Sequence, residues 1–119
     1  MSSESPPAQS HAERLRLLEV EAAEALERLN LAADGDERSD GHHHPAEAAT
    51  DADRRERELA ELLRWRERVG RIEAAKAALE AGTYGICVDC GGEIPEGRLR
   101  ALPDAMRCVP CQTAFNRRR

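Results

Sequence analysis

Residues 87–111 read CVDCGGEIPEGRLRALPDAMRCVPC, two Cys-x-x-Cys pairs separated by seventeen residues. A two-residue gap lets both sulfurs of a pair point to the same side, and two facing pairs complete a tetrahedron of Zn–S bonds about 2.3 Å long. The spacing therefore predicts one zinc ion bound by Cys87, Cys90, Cys108 and Cys111. Four thiolates leave no position for water, so we expect a structural metal and not a catalytic one.

The sequence gives less support to other functions of these cysteines. A thiol–disulfide function for Cys87 and Cys90 would not need the second pair, and an iron–sulfur cluster fits the ligand count but is less common with short paired loops. Three consecutive histidines, at 42–44, lie in a Gly/Asp/Ser-rich stretch without a second ligand cluster, so we expect surface histidines. The chain shows no catalytic triad, phosphate loop or dinucleotide fingerprint, and we expect no enzyme.

Upstream of the cysteines, apolar residues recur at heptad spacing. In the first half, one line contains Leu15, Ala22 and Leu29, and a second line starts three residues later at Leu18. This pattern predicts a helix over about 10–33 and a second helix over about 46–82, starting near Pro45 or Thr50. A Gly- and Asp-rich loop over about 34–45 separates them. We expect an antiparallel coiled-coil hairpin; the alternative is that each helix pairs with another chain.

Composition agrees with a mostly α protein that has a small core. Only 40% of the 119 residues are apolar, with one Trp, one Tyr and one Phe. We expect residues 1–9 to be disordered, 10–82 to form the hairpin, and 83–119 to form the four-cysteine zinc finger with a short C-terminal helix and a basic tail. No stretch resembles a signal peptide or a membrane span, which favours the cytoplasm.

Charge is divided unevenly along the chain. The net charge is −5, with thirteen acids against four bases in residues 1–53 and ten acids against fourteen bases in residues 54–119. An acidic protein without a basic recognition helix lacks the cationic surface that nucleic-acid binding requires. We therefore expect no sequence-specific DNA binding.

Several residues around the cysteines form a second pattern: Gly82-Thr83-Tyr84-Gly85, Gly91, Ile94, Arg98-Leu99, Ala101, Pro103 and Gln112. With these residues, the region from Leu79 to Cys111 closely resembles the DksA/TraR family of bacterial zinc-finger proteins that bind RNA polymerase. With the preceding hairpin, the resemblance covers about residues 10–112. It implies a non-enzymatic, monomeric transcription regulator whose zinc finger docks at the rim of the polymerase secondary channel and whose coiled-coil tip points toward the active site.

The family's tip motif is D-x-x-D-x-A, and an ungapped register places it on residues 44–49. Ala49 is identical, Glu47 preserves the second acid, and His44 replaces the first aspartate, with an imidazole that cannot reproduce a fixed carboxylate. Asp51 and Asp53 are the nearest pair of aspartates. The altered tip supports an alternative function, a zinc-finger adaptor that binds a different protein through its coiled coil.

Family members that respond to guanosine tetraphosphate offer basic residues from the second helix and from the finger. Arg64 and Arg71 fall near the matching helix positions, but Leu102 and Gln112 stand where the finger's basic residues are expected. Half of the charge clamp is missing, which predicts weak or absent binding of this nucleotide.

Overall fold

The computed structural model describes the backbone of residues 10–38 and 45–118, with side chains for 10–32 and 50–118. Its helices are α1 (His11–Arg38), α2 (Pro45–Ala81), α3 (Glu96–Ala101) and α4 (Val109–Arg118). The chain divides into two compact units: the first contains Met1–Glu19 and Gly70–Arg119, and the second contains Val20–Val69. None of the helices in the described ranges is long and apolar enough to cross a membrane.

A reciprocal cap starts α1. The Ser10 backbone N–H donates to Glu13 Oε1 at 2.9 Å, and the Glu13 N–H donates to Ser10 Oγ at 3.1 Å. This capping box satisfies two N–H groups that the first turn leaves without helical partners. The helix continues to Arg38, five residues past the expected end near 33. Gly35 costs only about 1 kcal/mol inside a helix, so a single glycine does not stop one.

The second unit is a pair of helical segments with a thin core. Ala22, Ala25 and Leu29 of α1 are buried, as the heptad pattern predicts. Across the pair, Arg28 of α1 donates to Glu61 of α2 at 3.1 Å. Small alanines let the helices approach closely but bury little apolar area, so this core contributes less than a leucine-rich seam would.

In the first unit, the start of α1 packs on the end of α2. Leu15, Leu18, Ile72 and Ala75 are buried, and Lys76 Nζ donates to Glu19 Oε2 at 2.9 Å. That hydrogen bond is the main reason that the pKa of Lys76 is raised. The two helices are antiparallel, because Glu19 of α1 pairs with Lys76 of α2, whereas Arg28, later in α1, pairs with Glu61, earlier in α2. The prediction of a mostly helical hairpin followed by a zinc finger is confirmed.

Two features beyond the hairpin differ from expectation. The segment between the cysteine pairs, for which no helix is predicted, contains α3 because the carbonyl of Pro95 accepts the N–H groups of Arg98 and Leu99 and because Leu99 is buried. Pro95 has φ −57°, which suits the entry to a helix. Arg117 and Arg118, expected in a basic tail, form the last turn of α4, where the helix dipole favours cations.

Candidate metal centre

Four cysteine sulfurs lie together in the first unit. The Sγ atoms of Cys87, Cys90, Cys108 and Cys111 are all within 4.8 Å of one another, and Cys90 Sγ lies 3.8 Å from Cys108 Sγ. A regular tetrahedron with Zn–S bonds of about 2.3 Å has sulfur–sulfur edges of about 3.8 Å. The cluster therefore fits a zinc ion, and the two predicted pairs do face each other.

The first pair lies on a tight turn. Cys87 N donates to Gly92 O at 2.8 Å, and Gly91 N donates back to Cys87 O at 3.0 Å. Gly91 has φ +75°, a conformation that favours glycine. The turn also aims N–H groups at sulfur: Cys90 N lies 3.5 Å from Cys87 Sγ, and Gly92 N lies 3.4 Å from Cys90 Sγ. Such donors favour thiolates, and the Cys90 N–H is the main cause that lowers the pKa of Cys87 to about 6.

The second pair lies at the start of α4. Cys108 precedes the helix and Cys111 belongs to its first turn, where Gln112 N donates to Cys108 O at 2.9 Å. Pro110 is tolerated because the first turn needs no N–H from it. Hydrogen bonding with the Cys108 thiol is the largest cause that raises the pKa of Cys111 to about 12. Crowded sulfurs oppose further ionisation, and a divalent cation is what makes four thiolates compatible.

A cation bridges the two pairs from outside the cluster. Arg107 Nε donates to Asp89 Oδ2 at 2.7 Å, and the Arg107 guanidinium lies 3.9 Å from the centre of the Phe115 ring. Arg98 Nε donates to the carbonyl of Arg107 at 2.9 Å. We call these four residues the Arg107 bridge. The sequence gives no sign of the contact between Arg107 and Asp89, because the two residues lie eighteen positions apart and no local pattern links them.

A small apolar core lies beneath the sulfurs. Cys87, Ile94 and Leu99 are buried, with Tyr84 and Ala105 packed against them. The Tyr84 hydroxyl donates to Pro103 O at 2.8 Å, and burial raises the pKa of Tyr84. Gly85 has φ +86°, and a Cβ at this position would lie 3.2 Å from Leu99 Cδ1. The residues around the metal site are therefore fixed by packing as well as by the cysteines.

Two contacts tie this core to the long helices of the first unit. His11 Nε2 lies 3.0 Å from Glu96 Oε2, and its ring centre lies 4.8 Å from that of Tyr84. Arg71 Nε donates to Asp104 Oδ2 at 3.2 Å, and the Asp104 residue is only 2% exposed. Neither pair was predicted, because each joins residues that are far apart in the sequence and belong to separate elements.

The predicted tip residues are only partly described. His44 lies outside the described residues, as do the side chains of Glu47 and Ala49, whose backbones belong to α2. Asp51 accepts from Arg54 at 3.1 Å, and Asp53 is exposed. The other two histidines of the run, at 42 and 43, also lie outside the described residues.

Comparison with known proteins identifies the cysteine region. The family model described as a prokaryotic dksA/traR C4-type zinc finger matches residues 82–117. The RNA polymerase-binding transcription factor DksA of Haemophilus influenzae is 38% identical over 69 residues, which is 58% of this chain and 48% of that protein. The uncharacterised protein YteA of Bacillus subtilis is 48% identical over 63 residues, 53% of this chain and 26% of that protein. The chain thus spans less than half the length of either relative.

The fold comparison extends over the helices. The solved structure of transcription factor DksA2 from Pseudomonas aeruginosa has a TM-score of 0.59 and 25% identity, covering 95% of this chain and 92% of that chain. Paired helices followed by four clustered cysteines define a C4-type zinc-finger protein with one structural zinc ion. The chain belongs to the DksA/TraR family.

Proposed function

We propose that this chain is a non-enzymatic transcription regulator that binds RNA polymerase through its secondary channel. In this proposal the zinc finger docks at the channel rim, and the tip between α1 and α2 points toward the active site. The observation that carries it is the fold similarity to transcription factor DksA2, which covers 95% of the chain. The Haemophilus influenzae relative is an RNA polymerase-binding transcription factor, which supports the choice of partner.

The charges of the chain suit this proposal. Residues 1–53 carry thirteen acids against four bases, so α1 and the tip would suit a channel that carries basic residues. The cysteines Cys87, Cys90, Cys108 and Cys111 are the proposed zinc ligands, and their metal supplies rigidity and not chemistry. We expect one chain to act alone in the channel, without sequence-specific DNA binding.

Guanosine tetraphosphate is not an expected ligand. Of the two arginines at the matching helix positions, Arg71 is engaged by the buried Asp104, which competes with any phosphate. On the finger side, Leu102 and Gln112 supply no positive charge. The proposed regulator therefore acts without this nucleotide; isothermal titration with polymerase present that gives saturable binding would contradict this expectation.

The proposal is tested by binding and then by activity. Tagged, zinc-loaded chain should retain core RNA polymerase at low salt and should change transcript levels in multi-round transcription at a ribosomal promoter. His44→Ala and Glu47→Ala should alter the transcript level while leaving polymerase binding unchanged, because the finger supplies the docking. Glu21→Ala, at an exposed position of α1, is the matched control. No retention of polymerase rejects the proposal, and retention with unchanged transcripts rejects the regulatory part.

The second candidate is a zinc-finger adaptor that binds another protein through its coiled coil. The observation that favours it is His44, which stands where the family's tip motif has its first aspartate. Under this alternative, polymerase is not retained even at low salt, and a different protein co-purifies with the tagged chain.

A further inference from the structure

The side of α2 that faces away from α1 carries an ordered set of exposed residues in the second unit. Glu56, Leu59, Leu63 and Arg66 follow one another at steps of three, four and three, so they share one helix face. Leu59 is 55% exposed and Leu63 is 53% exposed. The partly buried Trp65 lies on the opposite side of the helix, and the partly buried Leu62 lies between the two sides. We call the four exposed residues the outer α2 face.

The charges on this face are available to a partner. On the inner side of the same segment, the charged residues are already paired: Glu61 with Arg28, and Arg54 with Asp51 and Glu58. Glu56 and Arg66, in contrast, have no ion-pair partner among the described residues. The outer α2 face thus presents two leucines between an unpaired acid and an unpaired base.

We propose that the outer α2 face binds the same face of a second copy of this chain, with the two α2 helices antiparallel. Positions 56 and 66 lie at equal distances from residue 61, as do positions 59 and 63, so an antiparallel copy places a base opposite each acid and a leucine opposite each leucine. Glu56 then lies opposite the second copy's arginine at position 66, and Leu59 lies opposite its leucine at position 63. In a parallel pair, each charged residue would instead lie opposite the same residue of the second copy, so like charges would meet. The antiparallel arrangement is self-complementary, as a closed two-fold dimer requires.

The outer side of α1 does not fit this role, which makes the choice specific. In the second unit it exposes Val20 and Leu31, at 54% and 64%, but the charges around them include Glu21, Glu24 and Glu27. A second copy of that surface would meet like charges, which repel. Exposed apolar area alone therefore does not distinguish the two faces, whereas the order of charges does.

The expected dimer is weak and reversible. Each copy contributes only two leucines and two charged residues to the outer α2 face, and exposed ion pairs contribute little to association. Interfaces of this size belong to the transient class below about 1,200 Å². We therefore expect a monomer at low concentration and a dimer at high concentration, with salt weakening the contacts between Glu56 and Arg66. Because the proposed register depends only on α2, this inference does not rest on the proposed function, and the single chain remains the form proposed to enter the channel.

The test is sedimentation velocity of the full zinc-loaded chain over a wide range of concentration at low salt. The wild type should shift reversibly from monomer to dimer. Leu63→Asn should weaken the dimer at least about tenfold, the loss expected for roughly 1.4 kcal/mol. Leu31→Asn, which removes a similarly exposed leucine from α1, should leave the dimer unchanged. Circular dichroism should show equal helicity for all variants, since every substituted position is exposed.

A charge exchange tests the antiparallel register. Glu56→Arg alone and Arg66→Glu alone should each weaken the dimer, because each creates two like-charge contacts. The two substitutions combined should restore it, since the acid and base then face each other again. A wild type that stays monomeric throughout, a Leu31→Asn effect equal to that of Leu63→Asn, or a combined variant no better than the single ones would overturn the proposal.

Discussion

Arg107 is the residue whose removal should reveal how much the protein contributes to metal retention. Its side chain joins Asp89, in the first cysteine pair, to Phe115, in the helix that carries Cys111. Residues that orient metal ligands without touching the metal typically contribute about ten- to hundredfold in affinity. We expect Arg107→Ala to weaken zinc binding by about that factor, measured by competition with a chromogenic chelator.

Two control variants distinguish the effect of the Arg107 side chain's shape from the effect of its positive charge. Arg100→Ala removes an exposed arginine of α3 whose ion-pair partner, Glu96, is 3.9 Å away, and it should leave zinc affinity unchanged. Arg107→Lys keeps a cation near Asp89 but loses the flat guanidinium over Phe115, so it should give an intermediate affinity. Equal zinc affinity in Arg107→Ala and the wild type would show that the bridge does not support the metal site.

Zinc affinity should fall as the pH is lowered, because protons compete for the thiolates. The pKa of Cys87 is lowered to about 6, so this sulfur remains a thiolate until the pH falls through about 6. The pKa of Cys111 is raised to about 12, so zinc must displace its proton at neutral pH. We expect calorimetry in two buffers of different ionisation enthalpy to show proton release at neutral pH, with affinity dropping more steeply below a pH of about 6. Affinity that does not change with pH would exclude thiolate ligation.

At the scale of elements, the contact between α2 and the segment after α3 depends on one buried carboxylate. Asp104 is 2% exposed and accepts from Arg71, whose side chain is 40% exposed. Removing the carboxylate leaves that guanidinium without this acceptor, but its exposure to water limits the loss. We expect Asp104→Ala to lower the free energy of unfolding of the zinc-bound chain by about 1–3 kcal/mol, measured by urea denaturation. Glu93→Ala, at an exposed position, should change it by less than about 0.5 kcal/mol.

Local patterns explain which elements were predictable from sequence. The heptad spacing predicts the buried positions Leu15, Ala22 and Leu29, and the Cys-x-x-Cys spacing predicts the clustered sulfurs, because both depend on residues close in the chain. Helix α3 was missed because Gly97 weakens its local propensity, whereas buried Leu99 stabilises it through packing. The pairing of Arg71 with Asp104 spans 33 positions, and such pairs exist only once the chain has folded.

At the scale of the whole molecule, the two units differ in what holds them together. The buried apolar residues of the first unit include Ile72, Ile94 and Leu99 as well as the metal-site Cys87. Those described in the second unit are Ala22, Ala25 and Leu29. Among the described residues, helix pairing is therefore what stabilises the second unit, whereas the first also contains the four-cysteine zinc site. Structural zinc contributes about 10–16 kcal/mol in small domains, which rivals or exceeds the stability of a typical domain.

Removal of zinc should therefore unfold the cysteine region selectively, and the chain has a natural probe in each unit. Tyr84, the single tyrosine, packs against the core below the sulfurs, and Trp65, the single tryptophan, lies in the second unit. On chelation we expect the near-ultraviolet signal of Tyr84 to disappear and amide exchange across residues 82–118 to accelerate, while Trp65 emission stays constant. Zinc should reverse the change and magnesium should not, because Mg²⁺ prefers oxygen ligands. An unchanged Tyr84 signal after complete zinc removal would mean that packing and the Arg107 bridge hold this region without the metal.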